Sequence, residues 1–221
     1  MKKDMYKNIV GWEKIVSKPS EAFQKWFADE RKFIISNMKR NSKVLEVGCG
    51  DGRSLKDVLE VTKDITGVDN DETAIEHAKN NFEKHLSIKI ILAEGNKLPF
   101  QDKLFDYATC IGTFANLGQD KYDVLTEMKR VIKDGGKIII SVYSEEALPE
   151  RMKAYEEINV PIKRVSKNGT VIFDDFGEEG ISEQFSKEDL QEIFDKAKLR
   201  VDKIVKSSIG YICLLSKMKI P

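Results

Sequence analysis

The chain has 221 residues, 41% of them hydrophobic and 33% charged, which suits one large α/β domain with a real core. Lys+Arg and Asp+Glu both number 37, so the formal net charge is zero; phosphate binding normally leaves a basic excess, so nucleic acid is not expected as the main partner. Three cysteines at unrelated spacings indicate neither a disulfide framework nor a zinc site and fit a reduced, cytoplasmic setting. His77 and His85 lie eight apart, in or just after one predicted helix, and do not suggest a metal pair. No apolar run is long enough to span a membrane, and the charged start of the chain lacks a signal peptide's apolar core. No internal repeat or low-complexity tract is visible.

Residues 1–18 are weakly patterned, with Tyr6, Ile9, Val10 and Trp12 able to share one face of a short helix. Ser17 and Pro19 signal a helix start. Phe23, Phe27, Ile34 and Met38 then follow at near-helical spacing, with Trp26 and Phe33 beside them. This segment precedes the repeating αβ pattern, and its aromatics need a surface. Residues 1–38 are therefore expected either to close over a ligand cleft as a lid or, for residues 19–38, to dock permanently as a helix.

Val44-Leu45-Glu46-Val47 reads as a buried strand, followed by Gly48, Gly50 and Gly52 at alternate positions and then a helix through Leu55, Val58 and Leu59. Glycines here permit positive φ and let a ligand lie against bare backbone. The third glycine of a dinucleotide fingerprint would fall at Arg53, and the P-loop pattern is absent. The pattern is instead E-x-G-x-G-x-G; a carboxylate at the strand end repels a pyrophosphate and suits a cation. Ile65–Val68 is a second strand ending at Asp69, 19 positions after Gly50, close to the spacing at which a ribose-binding acid occurs in such units. Asp69 is read as that acid, with helix capping as the alternative; Asp71 suits the cap.

Ile88–Ala93 is a third strand, leading into Ala93-Glu94-Gly95-Asn96 and Leu98-Pro99-Phe100. Leu104–Ile111 is a fourth, where Cys110 has no base in sequence view and reads as a packing residue. Leu125, Met128 and Ile132 mark a helix ended by Lys133-Asp134-Gly135-Gly136, and Ile138–Val142 is a central fifth strand. From Ser144 to about Ile181 the pattern weakens, broken by Pro149, Pro161 and an Asn168-Gly169 turn, with Val171–Phe173 as a short strand. Asp174, Asp175, Glu178, Glu179 and Glu183 read as a solvated loop or as an attractor for an amine substrate. Ser186–Asp189 opens a helix with a capping-box pattern, and Val201–Val205 and Ile209–Leu215 pair as a hairpin.

The joint pattern resembles the class I S-adenosylmethionine (SAM) dependent methyltransferases. It is carried by Glu46 and its glycine loop, Gly67-Val68-Asp69-Asn70-Asp71, Ala93-Glu94-Gly95 with Leu98-Pro99-Phe100, Phe105-Asp106, and Lys133-Asp134-Gly135-Gly136. The resemblance is strongest over residues 43–142 and looser over 182–217. It implies a single three-layer, Rossmann-like α/β domain with a seven-stranded, mostly parallel sheet and an antiparallel C-terminal hairpin. Within it, residues 39–143 form the cofactor-binding core, 144–183 an insertion on the acceptor side, and 184–221 the closing helix and hairpin. It implies that Glu46 holds the methionine end of SAM, that the backbone at Gly48, Cys49 and Gly50 approaches the cofactor, and that Asp69 with Asn70 meets the ribose. Glu94 would accept from the adenine amino group, longer than the family's usual Asp, and the Gly95 N–H would donate to the ring. Cys110, Ile111 and Gly112 would form the adjoining wall, and Thr113, Phe114 and Asn116 fall where relatives meet their acceptor. The implied reaction is direct in-line methyl transfer to a small-molecule acceptor, giving S-adenosylhomocysteine. No catalytic residue is assigned, and no metal is expected. A SAM-binding regulator without turnover and a nicotinamide-dependent oxidoreductase are the other classes the residues leave open.

Overall fold

The computed structural model describes residues 15–175 and 178–218, without the side chains of residues 175–179. Tyr6, Ile9, Val10 and Trp12 therefore lie outside the described residues. Helix α1 (Glu21–Asn37) precedes a run of strands and helices: β1 (Val44–Val47), α2 (Arg53–Leu59), β2 (Ile65–Asp69), α3 (Glu72–Asn81) and β3 (Ile88–Leu92). β4 (Phe105–Ile111), α4 (Lys121–Val131) and β5 (Ile132–Tyr143) complete the central run. Then come α5 (Leu148–Glu157), β6 (Ile162–Val165), β7 (Val171–Asp175), β8 (Glu178–Ser182), α6 (Lys187–Lys196), β9 (Leu199–Lys206) and β10 (Gly210–Lys217).

Seven strands form one sheet in the order β3-β2-β1-β4-β5-β10-β9, parallel from β3 to β5, with β10 antiparallel to both β5 and β9. This is the expected architecture, and the near-continuous burial of β1, β2 and β4 is what a sheet covered on both faces requires. Alternation along β5 divides the core. Ile138, Ile140 and Val142 pack with α4 and α6, whereas Ile139 packs in a second cluster with Phe33 and Ile34 of α1 and Leu55 and Val58 of α2.

Sequence and structure differ at the Lys133–Gly136 segment. It is not a glycine turn closing a helix. α4 stops when Ile132 turns extended (φ −78°, ψ 148°) and pairs with Phe105, and the next pair in the register is Tyr107 with Lys137. The intervening residues bulge out of β5, which lets the strand begin earlier than its apolar run.

The 144–183 segment is also more ordered than its composition suggests. Pro149 sits in the first turn of α5, where its missing N–H is one that no helical partner would satisfy. β6, β7 and β8 form a separate antiparallel sheet, with Gly169 (φ +78°) in the β6–β7 turn. The acidic run is therefore largely strand rather than loop. Asp174 is exposed, and Glu183 pairs with the buried Lys121 at 2.9 Å. Arg151, fully buried, ties the insertion together through Gly169 O (3.1 Å), Gln184 Oε1 (3.1 Å), Ser182 O (2.6 Å) and Ser182 Oγ (2.9 Å).

α1 is docked. Phe23, Trp26, Phe33 and Ile34 are buried on one face, and the Trp26 ring lies 5.0 Å from that of Tyr143 at the end of β5. For residues 19–38 this is the packed arrangement; residues 1–14 lie outside the described residues. A Cβ on Gly210 would meet Trp26 Nε1 at 2.6 Å, so β10 leaves room for the indole. Trp26→Ala is expected to cost about 3–5 kcal/mol, the usual range for emptying a large aromatic site. Urea unfolding measures it, and a loss under ~1 kcal/mol would mean that α1 is not part of the core.

Candidate functional site

The glycine loop turns the chain from β1 into α2 through Gly48 (φ +75°), Gly50 (φ +53°) and Gly52 (φ +91°). The N–H groups of Gly48 and Cys49 donate to Val68 O at 2.8 and 3.0 Å, which fastens the loop to β2. Two of the expected site glycines do different work. A Cβ on Gly48 would meet the Thr113 side chain at 2.2 Å, and Thr113 Oγ1 donates to Gly48 O at 2.8 Å, so Gly48 is where the loop closes against the segment after β4. A Cβ on Gly50 meets no atom within 4 Å, so bare backbone faces open space there. Gly95 is a packing position, since its Cβ would meet Val47 at 2.8 Å.

The expected ribose and adenine residues come together at the carboxyl ends of β2 and β3. Asp69 Oδ2 accepts from Gly50 N–H (2.8 Å) and Oδ1 from Asp71 N–H (3.0 Å). Asp71, not Asp69, caps α3, accepting from Thr73 N–H (2.8 Å) and Ala74 N–H (3.3 Å). Burial raises the Asp69 carboxyl from its ordinary value against the lowering effect of these N–H groups. Asn70 Nδ2 donates to Glu94 Oε2 at 3.1 Å, which places the exposed Glu94 carboxylate beside Asn70.

Glu46 is fully buried, on the sheet face that meets α1 and α2. The Ser54 hydroxyl donates to its Oε1, and its Oε2 has no hydrogen-bond partner. Burial pushes its carboxyl up to about 7, while Ser54 and the Arg53 guanidinium pull it down. A buried carboxylate oxygen without a donor is costly. A hydrogen-bond donor or a cationic group would satisfy it.

The surrounding residues were not legible as site residues. Ser54 and Arg53 open α2, and Glu30 comes from α1 with its Oε2 2.8 Å from Arg53 Nη2. Glu30 lies on the same helical stripe as Phe23, Trp26 and Ile34, and a carboxylate on an apolar stripe was the available signal.

Cys110 is fully buried in the core and Ile111 nearly so, and burial raises the Cys110 and Cys49 thiols well above their ordinary values. None of these thiols has the character of a nucleophile. Phe114 is packed against Phe185 and Phe194. Asn116 is exposed. Among the described residues no cluster of His, Cys, Asp and Glu could hold a metal ion, and no helix is long and apolar enough to cross a membrane.

A parallel sheet with a glycine loop, an acid beneath it and acids at the next two strand ends defines a nucleoside-type site at the carboxyl edge of a Rossmann-like domain. The family described as "Methyltransferase domain" matches residues 38–199. A demethylmenaquinone methyltransferase of Staphylococcus aureus is 32% identical over 130 residues, 57% of this chain and 54% of that protein. The match thus spans about half the length of that relative. Among solved structures, a Pyrococcus horikoshii protein superposes with a TM-score of 0.70 at 23% identity, covering 90% of this chain and 92% of its own. A SAM-dependent methyltransferase from Clostridium acetobutylicum superposes with a TM-score of 0.67 at 14% identity, covering 97% and 98%. The chain belongs to the class I SAM-dependent methyltransferase family.

Two glycine variants separate packing from binding. Gly48→Ala forces a methyl into Thr113 at a positive φ and is expected to lower stability by about 1–3 kcal/mol or more. Gly50→Asn, a side chain that tolerates the φ of +53° there, should keep the fold by circular dichroism yet lose S-adenosylhomocysteine binding in calorimetry; unchanged affinity would remove the loop from the site.

Glu46 makes a pH prediction. Its folded pKa lies above the usual carboxylate range, so in the ligand-free protein its stabilising contribution is complete below that range and is lost as pH rises through about 7. A cationic ligand group favours the ionised form, so the proton must leave on binding. Affinity for S-adenosylhomocysteine should therefore rise, by up to about tenfold per pH unit, as pH increases toward 7, and then level off. Glu46→Gln should flatten that profile; an equally steep one in the variant refutes the assignment.

Proposed function

We propose that this chain transfers the methyl group of SAM to a small organic acceptor and releases S-adenosylhomocysteine. The observation that carries the reading is Glu46, a buried carboxylate with an unpaired oxygen directly beneath a glycine loop that leads to a ribose-type acid. SAM supplies, when bound, an activated methyl on a sulfonium. The chain's own residues hold and orient. Glu46 receives the ammonium, Gly50 leaves its backbone open to the ligand, Asp69 takes the ribose hydroxyls, and Glu94 with Asn70 lies toward the base.

Alignment of two bound partners is worth about 7–11 kcal/mol in favourable cases, so a site that only positions can still accelerate the transfer. We assign no general base, because a nucleophilic amine or thiolate acceptor needs none. The small-molecule reading is supported by the formal charge of zero and by the relative named for demethylmenaquinone. The insertion, with its own small sheet fastened by Arg151, is the part we assign to the acceptor's side of the cleft.

Two measurements test this. Incubation with SAM and pooled metabolites should give S-adenosylhomocysteine above the protein-free control; binding of SAM without turnover on any pool would leave the regulatory reading in place. Asp69→Ala should weaken SAM and S-adenosylhomocysteine alike, by about 1.5–3 kcal/mol for a charge-assisted hydrogen bond. If affinity holds while the ligand-free protein melts earlier, Asp69 serves only the loop.

A further inference from the structure

Two fully buried carboxylates, Glu30 on α1 and Glu46 on β1, act electrostatically on Arg53, the first residue of α2, and only Glu30 forms an ion pair with it. The geometry divides them unequally. Arg53 Nη2 lies 2.8 Å from Glu30 Oε2, an ion pair without hydrogen-bond alignment, and its guanidinium sits over the Phe27 ring of the same helix at 4.3 Å. The other Glu30 oxygen accepts from the Ser141 hydroxyl of β5, which holds the carboxylate in place. Arg53 is therefore committed to α1. Glu46, on β1, receives only the Ser54 hydroxyl, and its Oε2 is left without a hydrogen-bond partner.

Arg53 precedes the Ser54 that donates to Glu46, and an arginine so placed would be the natural counterion of a half-satisfied carboxylate. A planar fork favours bidentate pairing with carboxylates. If Arg53 turned to Glu46, the guanidinium would take the place that a ligand cation needs. We infer that Glu30 is a positioning residue for the cofactor site: by holding Arg53 against α1, it keeps Glu46 Oε2 available for the ammonium of SAM's amino-acid end. Helix α1 thereby contributes to cofactor affinity without a side chain of its own on the ligand. The inference rests on the SAM-site reading given above.

The test uses the full chain and two ligands that share a nucleoside, S-adenosylhomocysteine with the amino-acid end and 5′-methylthioadenosine without it. In Glu30→Gln, Arg53 loses its charged partner and turns to Glu46. Calorimetry should show S-adenosylhomocysteine weakened about tenfold, while methylthioadenosine stays within about twofold of wild type. In the double variant Glu30→Gln/Arg53→Met no arginine competes, and S-adenosylhomocysteine affinity should return to within about threefold of wild type. A purely structural role predicts the opposite, with the double variant no better than the single.

Unchanged S-adenosylhomocysteine affinity in Glu30→Gln, equal weakening of both ligands, or a double variant without recovery would each overturn the inference. Should Glu30→Gln fail to fold by circular dichroism, the double variant decides by itself, since recovery to near wild-type affinity is the required result. A wild-type protein that binds neither ligand overturns the SAM-site reading itself, and is distinguishable because it precedes any variant.

Discussion

The constraint on which the rest of this molecule turns is a carboxylate buried at the end of a central strand. Glu46 cannot reach water, and a charge so placed is tolerated only with partners arranged around it. Its local surroundings follow from that need. Ser54 must open α2 close to the strand end, so the connection has to be short and sharply bent, and that bend requires glycines with positive φ. Arg53, beside Ser54, is held against α1 by Glu30 and the Phe27 ring. The helix that precedes the first strand is thus joined to the site by electrostatics as well as by apolar packing.

The molecule is built on two separate sheets. The parallel strands β3, β2 and β1 end in the acids and the open backbone that suit a nucleoside with a charged tail. Beyond β5 the chain leaves the main sheet and builds a small antiparallel one, whose cohesion comes from a buried arginine surrounded by neutral acceptors. The 144–183 segment thus has a support independent of the glycine loop. That division agrees with our proposal that it shapes the acceptor side.

Much of the fold was legible because it depends on local rules. The strand Val44–Val47, its three glycines and the alternation of strands with helices are short-range signals, and so are the caps at Asp71 and Ser186. The candidate site was legible at the strand ends for the same reason, since Asp69, Asn70 and Glu94 follow strands whose apolar runs end just before them. What sequence could not supply was pairing across distance. Nothing local indicates that Gly48 is reserved for Thr113, that Glu183 meets Lys121, or that Glu30 reaches Arg53. The helix beginning near Pro149 escaped because proline reads as a breaker unless its position within the first turn is known. Likewise, Lys133–Gly136 looked like a turn because two adjacent glycines serve a bulge equally well.

The placement of β10 bears on how the protein is made. It lies between β5 and β9, both of which precede it in the chain. During synthesis the ribosome releases β5 first, and its flank remains an open ladder of unpaired N–H and C=O groups along Ile138–Val142, among the most apolar stretches of the sequence. Only when residues 210–217 emerge can β10 slide into that gap and join β9 to the sheet. Nascent chains stalled before that point would present a sticky strand edge to chaperones and to one another. Release of the β10 segment, rather than formation of the glycine loop, would then set when the newly made protein becomes safe from aggregation.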